Sequence, residues 1–390
     1  MSLREAARQS HFDASYLSKV INGHKPGTAY LAGVLDEVLG AGGRLAELAA
    51  RRPANPPVAA GAKPEVDQAE PWEIADVLTR SPVSATALDF MERAITGFAA
   101  CYPYTPPADL APRVQAMLVR MKGALGSSQP VTARFRCVRP AGVLCGVAGQ
   151  LADDAGQYAQ AGGYFEAGEL AAAEIGDCDL TAWILGVRSI GVFFRSGYPE
   201  AEAMLGRAQE AAASCTPRRR VWIDALSARS LAASAVRASG HRPAHREVMA
   251  SLDSASSHLD AATGPSGETE FFDRPRLSGM AGTAMLMLRD TGRARSLLGD
   301  ALASRSAADV KGRALLMLDL AECAAMDGEP EEAARLGSAA LGTLGESVIQ
   351  PVLRRTREVG RSLQRWESMP AVTELASHLA EVSRHPGWEG

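Results

Sequence analysis

The sequence predicts an all-α protein in which a short N-terminal helical domain is followed by a long α-solenoid. Apolar residues make up 46% of the 390 residues but aromatic residues only 5%, and alanine and leucine dominate, which favours helix over strand. Turns containing glycine or proline recur at intervals of about 36 to 52 residues, a spacing typical of stacked helical units. No segment alternates apolar and polar residues in the manner of a half-buried strand.

The first helix is predicted directly after the initiator methionine. Ser2 is a favourable N-cap with Glu5 three residues later, which is the spacing of a capping box. One face of this helix carries three apolar side chains: Leu3, Ala6 and Ala7. The helix is predicted to end near Ser10.

A second short helix is predicted from Ala14 to Asn22, with Asp13 as its N-cap. Three apolar residues at i, i+3 and i+4 are expected to face inward: Leu17, Val20 and Ile21. The outer face carries small hydroxyls, one cation and one amide: Ser15, Ser18, Lys19 and Asn22. Such a face suits a major groove, where serine reads base edges and lysine contacts guanine or phosphate. Gly23 is expected to end the helix as a left-handed residue, and Pro26 prevents its resumption.

Residues 15 to 23 (SYLSKVING), together with Pro26 and the apolar positions Leu31, Val34, Leu35 and Leu39, resemble the helix-turn-helix of the Cro/repressor (XRE) family of bacterial regulators. The resemblance covers about an eighth of the chain. It implies that residues 2–9 form the positioning helix and residues 14–22 the recognition helix on double-stranded DNA. By the same resemblance, bases would be approached by Ala14, Ser15, Ser18 and Lys19. Phosphates would be approached by Asn22 and Lys25, and the set of DNA-binding candidates is completed by Ser2 and Arg4.

One difference from the family concerns the start of the chain. Family members carry a further helix before the positioning helix, whereas Met1 leads directly into that helix here. Either the true start lies upstream, or the domain predicted over residues 1–50 lacks part of its core. In the second case several apolar side chains would have too little cover: Leu3, Ala6, Leu17, Val20 and Leu35. A segment of about 50 residues is already near the size at which a core is marginal.

Charge bears on how DNA would be bound. The formal net charge of −4 argues against nonspecific nucleic-acid binding by the whole molecule. Residues 1–52 carry a slight positive surplus, so that useful affinity is expected to come from two copies on the DNA. A homodimer is therefore predicted.

Residues 51–70 are rich in proline, alanine and charge and are interpreted as a linker. No signal peptide and no apolar run long enough to cross a bilayer is visible, which predicts a cytoplasmic protein without membrane contact. Six scattered cysteines without a C-x-x-C pair indicate neither a zinc site nor a disulfide framework.

Residues 71–390 read as helices separated by short turns. The turns are centred on Gly156, Gly197, Gly240, Gly292 and Gly328. In each unit an apolar first helix is followed by a turn and by a second helix with small residues. From about residue 72 to residue 385 this pattern resembles a degenerate tetratricopeptide (TPR) array, which implies a right-handed superhelix of antiparallel helix pairs.

In such an array the first helix of each pair lines the concave side, where an effector would bind. The ligand-binding candidates on these helices are Trp183, Arg188, Arg195, Trp222 and Arg229. Arginines repeated along a concave surface would hold the carboxylates of a peptide or an acidic small molecule. In the alternative interpretation, the arginines are solvated or paired with acidic residues such as Asp179 and Asp224, and both tryptophans belong to the core.

No catalytic or metal-binding constellation is apparent, and no cofactor is predicted. His241, His245 and His258 lack the spacing of a zinc motif, and no phosphate-binding or dinucleotide-binding glycine motif occurs. The pairs Asp153–Asp154 and Glu331–Glu332 are adjacent residues that point in different directions on a helix. They are expected to be solvated rather than to act as an acid and a base.

Three classes of function remain open. The first is a sequence-specific regulator that binds DNA through its N-terminal domain and senses an effector through the helical array. The second is a protein-interaction module with a vestigial DNA-binding segment. The third is an enzyme or ligand-binding protein that inherited the architecture of a regulator and uses its concave cavity for another purpose.

Overall fold

The computed structural model is helical throughout the described residues, which contain no β-strand. The described residues are 2–10, 12–22, 24, 28–50, 83–127, 130–237, 241–261, 269, 272–345 and 349–383. Four predicted features lie outside these ranges: the linker at 51–70, the helix-ending residues Gly23 and Pro26, the DNA-binding candidate Lys25 and the turn at Gly240. The predicted all-α class is confirmed. The chain divides into two compact units, residues 1–70 and residues 71–390.

The N-terminal unit contains four helices in its described part. They are α1 (Leu3–Ser10), α2 (Ala14–Ile21), α3 (Ala29–Leu39) and α4 (Arg44–Ala50). The Oγ atom of Ser2 accepts a hydrogen bond from the backbone N–H of Glu5 at 3.3 Å. The carboxylate of Asp13 accepts from the backbone N–H groups of Ser15 and Tyr16 at 2.8 and 3.0 Å. Both predicted N-caps are confirmed.

The small core of this unit forms between α1, α2 and α3. Its buried side chains are Ala7, Leu17 and Leu31. Leu17 is 1% exposed and Ala6 is also buried, so the expected lack of cover is wrong for these two residues. The other three side chains of that expectation are partly buried: Leu3, Val20 and Leu35. The prediction that Ile21 faces inward is wrong, because this last residue of α2 is 70% exposed, one turn beyond the core.

The second unit consists of longer helices that pack in succession. They are α5 (Ala85–Cys101), α6 (Pro107–Gly126), α7 (Val131–Asp154), α8 (Tyr158–Ile175), α9 (Cys178–Phe194), α10 (Tyr198–Ala212), α11 (Pro217–Arg237), α12 (His241–Ala261), α13 (Arg274–Met287), α14 (Thr291–Ser304), α15 (Val310–Asp327), α16 (Pro330–Gly342), α17 (Gln350–Ser362) and α18 (Pro370–Val382). From α7 to α16 consecutive helices pack in pairs, α7 with α8 through α15 with α16. Within the described ranges, no helix combines the length and the apolar character that crossing a bilayer requires.

Of the four predicted glycine turns among the described residues, three lie between paired helices and one does not. Gly197 lies between α9 and α10, directly before α10 begins. Gly156 between α7 and α8 has φ 80°, and Gly328 between α15 and α16 has φ 83°, values that favour glycine. Gly292 lies inside the first turn of α14 instead of in a turn, because Asp290 caps that helix. The left-handed residue before α14 is Arg289, with φ 62°.

Glycines also let the first helices of neighbouring pairs approach closely. Gly146 on α7 lies against the indole of Trp183 on α9, and Gly186 on α9 lies against the indole of Trp222 on α11. A Cβ atom at either glycine would overlap the ring. The same packing therefore repeats from one pair to the next: a tryptophan of one pair packs against a glycine of the preceding pair.

Three side chains connect parts of the second unit that are far apart in sequence. The hydroxyl of Tyr102, in the short helical turn after α5, donates to Oδ2 of Asp154 on α7 at 2.7 Å. It accepts from Nζ of Lys311 on α15 at 3.1 Å, and Lys311 also forms an ion pair with Asp154. The end of α5, the end of α7 and the start of α15 therefore meet at one point.

Candidate functional site

One face of α2 in the N-terminal unit is polar and exposed. Ser15, Lys19 and Asn22 are exposed, and Ser18 is partly buried beside them. The Nδ2 atom of Asn22 donates to Oγ of Ser18 at 3.3 Å. Among the described residues, Lys19 has no carboxylate partner, so its ammonium group is accessible to a partner molecule.

The other DNA-binding candidates differ in their surroundings. Ser2 is exposed and caps α1, and Arg4 is exposed on the same helix. Ala14 is partly buried and packs against the small core, so its methyl group is engaged within the unit. The structure therefore presents a polar face formed by Ser15, Ser18, Lys19 and Asn22, which we call the α2 face.

The second unit encloses a cavity of about 400 Å³, which we call the central cavity. Its walls come from the first helices of five successive pairs, α7, α9, α11, α13 and α15, and from residues 102–107 after α5. The segments that follow α14 and α16 complete the walls, among them Arg305, Asp309, Leu344 and Ile349. Of the described residues, none within the second helices α8, α10, α12, α14 and α16 lines it. The volume is within the range of small-molecule sites, about 300–1,000 Å³.

The central cavity is mostly apolar and has one exposed side. Tyr104 and Ala308 are exposed and mark the rim. Phe194, Trp222 and Leu316 supply apolar walls, and the last two are buried. A ligand that entered at the rim would lose most of its contact with water against these walls.

A partly buried ion pair lies in the wall of the cavity. Lys311 and Asp154 are paired, and the Tyr102 hydroxyl is bonded to both groups. Burial alone would lower the pKa of Lys311, but the charge of Asp154 and the bond to Tyr102 keep it above its usual value. Burial, followed by the nearby Asp154 carboxylate, raises the pKa of Tyr102. The phenol stays neutral and the ammonium stays charged at physiological pH.

Near the rim, two arginines share one carboxylate. Asp309 lies 3.6 Å from a nitrogen of Arg276 and 3.5 Å from Nε of Arg305. Arg276 also pairs with Asp273 at 2.8 Å and donates to the Tyr104 hydroxyl at 3.1 Å. The two arginines and the two aspartates therefore balance in charge on this side of the cavity.

The carboxylate of Asp319 on α15 is already bonded to two side chains. It accepts from Nε of Arg355 at 3.0 Å and from the Thr283 hydroxyl at 2.6 Å. Arg355 is bonded to Glu358 as well, at 2.9 Å. These groups form a buried network with little acceptor capacity left for another cation.

Arg229 on α11 is 5% exposed, lines the central cavity and forms no ion pair with a described carboxylate. Its Nε is buried without a hydrogen-bond partner. The guanidinium carbon lies 4.0 Å from the ring centroid of Phe193 and 5.6 Å from that of Phe194. Burial lowers the pKa of Arg229 to about 10, against the smaller opposing effect of Asp319.

The five predicted ligand-binding residues separate into two groups. Trp222 and Arg229 line the central cavity, whereas Trp183, Arg188 and Arg195 do not. Trp183 is 1% exposed and packs on Gly146 in the core. The structure therefore places two of the five at the central cavity and the other three outside it.

Arg188 and Arg195 are engaged by acidic residues of neighbouring helices. Arg188 donates to Glu169 on α8 at 2.8 Å and lies 3.7 Å from Glu166. Arg195 pairs with Asp153 on α7. These two arginines therefore match the alternative interpretation, in which the arginines pair with acidic residues. Their partners are not Asp179 and Asp224, the residues that the sequence suggested.

The expectation that Asp153 and Asp154 are solvated is wrong. Asp154 is 1% exposed and Asp153 is also buried, and each holds a cation, Lys311 and Arg195 respectively. Because the partners come from other helices, the sequence offered no local signal of the pairing. An adjacent pair of carboxylates at the end of a helix whose second half is otherwise mostly apolar was the only available indication.

Comparison with known proteins does not assign the chain to a group, since no family model matches it and no curated protein is significantly similar to it.

Proposed function

We propose that the protein is a sequence-specific DNA-binding transcriptional regulator. In this proposal α1 and α2 form a helix-turn-helix of the Cro/repressor type, and the second unit is a TPR-like superhelix that binds an effector, either a peptide or a small molecule. The observation that carries the proposal is the α2 face, where Ser15, Lys19 and Asn22 are exposed on a helix whose other side is buried. A short helix with hydroxyls, an amide and an unpaired cation is suited to base edges and phosphates.

Two features support the role of the second unit. Consecutive helices pack in pairs, and a large side chain of one pair is seated on a glycine of the preceding pair. The central cavity is lined by the first helix of five successive pairs, as expected for the concave side of a superhelix.

Two copies of the protein are part of the proposal. The formal charge of the chain is negative, and a single α2 face offers one lysine for phosphate contact. Because each phosphate contact contributes modestly, a homodimer that occupies two half-sites supplies the affinity that one copy lacks.

The test is selection of bound duplexes from a randomised DNA pool at low salt, followed by titration of the enriched sequence. We expect Lys19→Ala to weaken binding and to lower the salt slope by about one unit if the contact is to phosphate. Ser15→Ala should instead change the preference at one base pair by about 1–3 kcal/mol.

The matched control is Lys122→Ala, which removes an exposed lysine from the second unit. It should leave both the affinity and the salt slope unchanged. Failure to enrich any sequence from the pool would contradict the proposed function, and equal losses from both lysine variants would contradict the role of the α2 face.

A further inference from the structure

Arg229 differs from the other deeply buried arginines of the described chain. Arg219 and Arg355 are also less than one-tenth exposed. Arg219 donates from two nitrogens to the Asp179 carboxylate at 2.8 and 3.1 Å, and Arg355 pairs with Asp319 at 3.0 Å. Arg229 has aromatic rings beside it and forms no ion pair with any carboxylate of the described residues, although the charge of Asp319 acts on it weakly. A buried cation without a partner is destabilising, so a group of this kind is typical of a site that awaits an anion.

The geometry of the guanidinium favours one kind of anion. The guanidinium carbon lies over the rings of Phe193 and Phe194, and the N–H donors of a guanidinium group point outward in its own plane. Its Nε is buried without an acceptor, and the side chain borders the central cavity. Two parallel N–H donors match the two oxygens of a carboxylate.

The charge of the cavity limits the charge of the ligand. Asp154 neutralises Lys311, and the Asp319 carboxylate is occupied by Arg355 and Thr283. Among the lining residues that the structure describes, Arg229 is therefore the one cation without an ion pair. One uncompensated charge fits a monoanion, whereas a phosphate dianion would require further cations.

The walls and the size of the cavity define the rest of the ligand. Phe194, Trp222 and Leu316 are apolar, and the volume is about 400 Å³. Residues 102–107 line one side of the cavity, with Tyr102 bonded to Lys311 and Tyr104 bonded to Arg276. An extended peptide would need a groove that is not bridged in this way, so a compact molecule fits better.

We propose that the central cavity binds a small amphipathic carboxylic acid whose carboxylate pairs with Arg229 and whose apolar body lies against Phe194 and Trp222. This inference rests on the proposed function for its regulatory meaning, since the acid would be the effector of the regulator. The binding itself requires no DNA.

The experiment uses isothermal titration calorimetry of the full chain, without DNA, against phenylacetate, phenylbutyrate and octanoate, each compared with its neutral amide. We expect at least one acid to bind and its amide to bind roughly 10- to 100-fold more weakly, because the charged hydrogen bonds to Arg229 are lost. Arg229→Met should reduce acid binding by a similar factor and leave amide binding unchanged. Arg207→Met, which removes an exposed arginine outside the cavity, should change neither.

Thermal unfolding of the same variants separates a ligand-binding arginine from a structural one. Because Arg229→Met removes an unpaired buried cation, we expect its Tm to equal or exceed that of the wild-type chain. Arg229→Lys keeps the charge without the paired donors and should show intermediate acid binding.

Several results would overturn the inference: no binding by any of the acids, equal binding of acids and amides, or unaltered acid binding by Arg229→Met. If acidic pentapeptides bind more tightly than the single acids, the ligand of the cavity is a peptide and not a small molecule. If the acids bind as expected but no DNA sequence is enriched, the cavity assignment stands and the regulator proposal fails. If a DNA sequence is enriched but none of the acids binds, only the cavity assignment fails.

Discussion

The two compact units of the chain differ in how many of their charged side chains are buried. In the N-terminal unit Ser15, Lys19 and Asn22 of the α2 face are exposed, the hydrophobic cluster consists of three apolar residues, and Asp36 is the one buried charged residue among those that the structure describes. In the second unit several charged groups are buried inside the fold, among them Asp154, Arg229 and Asp319. The difference teaches that substitution of an exposed polar residue of the α2 face should affect binding alone, whereas removal of a buried and paired charge in the second unit should lower stability.

The largest effect is expected from removal of a buried acid. Asp319→Ala leaves Arg355 without one of its two carboxylate partners and removes an acceptor of the Thr283 hydroxyl, which should lower the free energy of unfolding by about 3–5 kcal/mol. Urea unfolding followed by tryptophan fluorescence measures this change in the second unit alone, because residues 1–70 contain no tryptophan.

The matched control lies in the other unit. Glu5 forms an exposed ion pair with Arg8 on α1, so Glu5→Ala should change stability by less than about 0.5 kcal/mol. Hydrogen exchange of residues 2–50 measures this change in stability. If Asp319→Ala lowers the free energy of unfolding no more than Glu5→Ala does, the proposed difference between the two units is contradicted.

A second prediction compares two apolar residues of α2. Leu17→Ala removes one of three buried core side chains and should destabilise the N-terminal unit by about 2–3 kcal/mol. Ile21→Ala removes an exposed side chain and should change stability by less than about 0.5 kcal/mol. Hydrogen exchange over residues 2–50 follows both, and an equal effect of the two substitutions would show that Ile21 belongs to the core.

The smallest effect concerns glycines of the second unit. Gly146→Ala places a Cβ atom against Trp183 and should destabilise the unit by about 1–3 kcal/mol. Gly163→Ala, on the exposed side of α8 with nothing near its Cβ position, should stabilise it by about 0.5–1 kcal/mol. Opposite signs in urea unfolding would support close packing between pairs, whereas two stabilised variants would contradict it.

Local features of the fold were predictable from the sequence because they depend on neighbouring residues. Ser2 and Asp13 cap the first two helices as expected, and the turns at Gly156 and Gly328 lie between paired helices. The turn near Gly292 was misplaced, because the capping carboxylate of Asp290 determines where α14 begins. Helix propensity and turn residues thus determine these boundaries to within a few positions.

The central cavity was predictable only in part. Arginines and tryptophans on first helices indicated a lining surface, and Arg229 and Trp222 do lie there. Whether an arginine is free depends on acids that lie elsewhere in the chain, such as Glu169 for Arg188 and Asp153 for Arg195. The sequence shows that those acidic residues exist, but it does not show which arginine each of them lies next to in the fold.

The bonds of Tyr102 and Lys311 bear on how the second unit unfolds. An array in which each repeat contacts only its neighbours loses structure progressively from its ends. Here Lys311 bonds to groups 209 and 157 residues earlier in the chain, so fraying at one end removes contacts from a distant pair. The unit should therefore melt as one cooperative block, and its folding should be slower than that of an open array because these contacts are non-local.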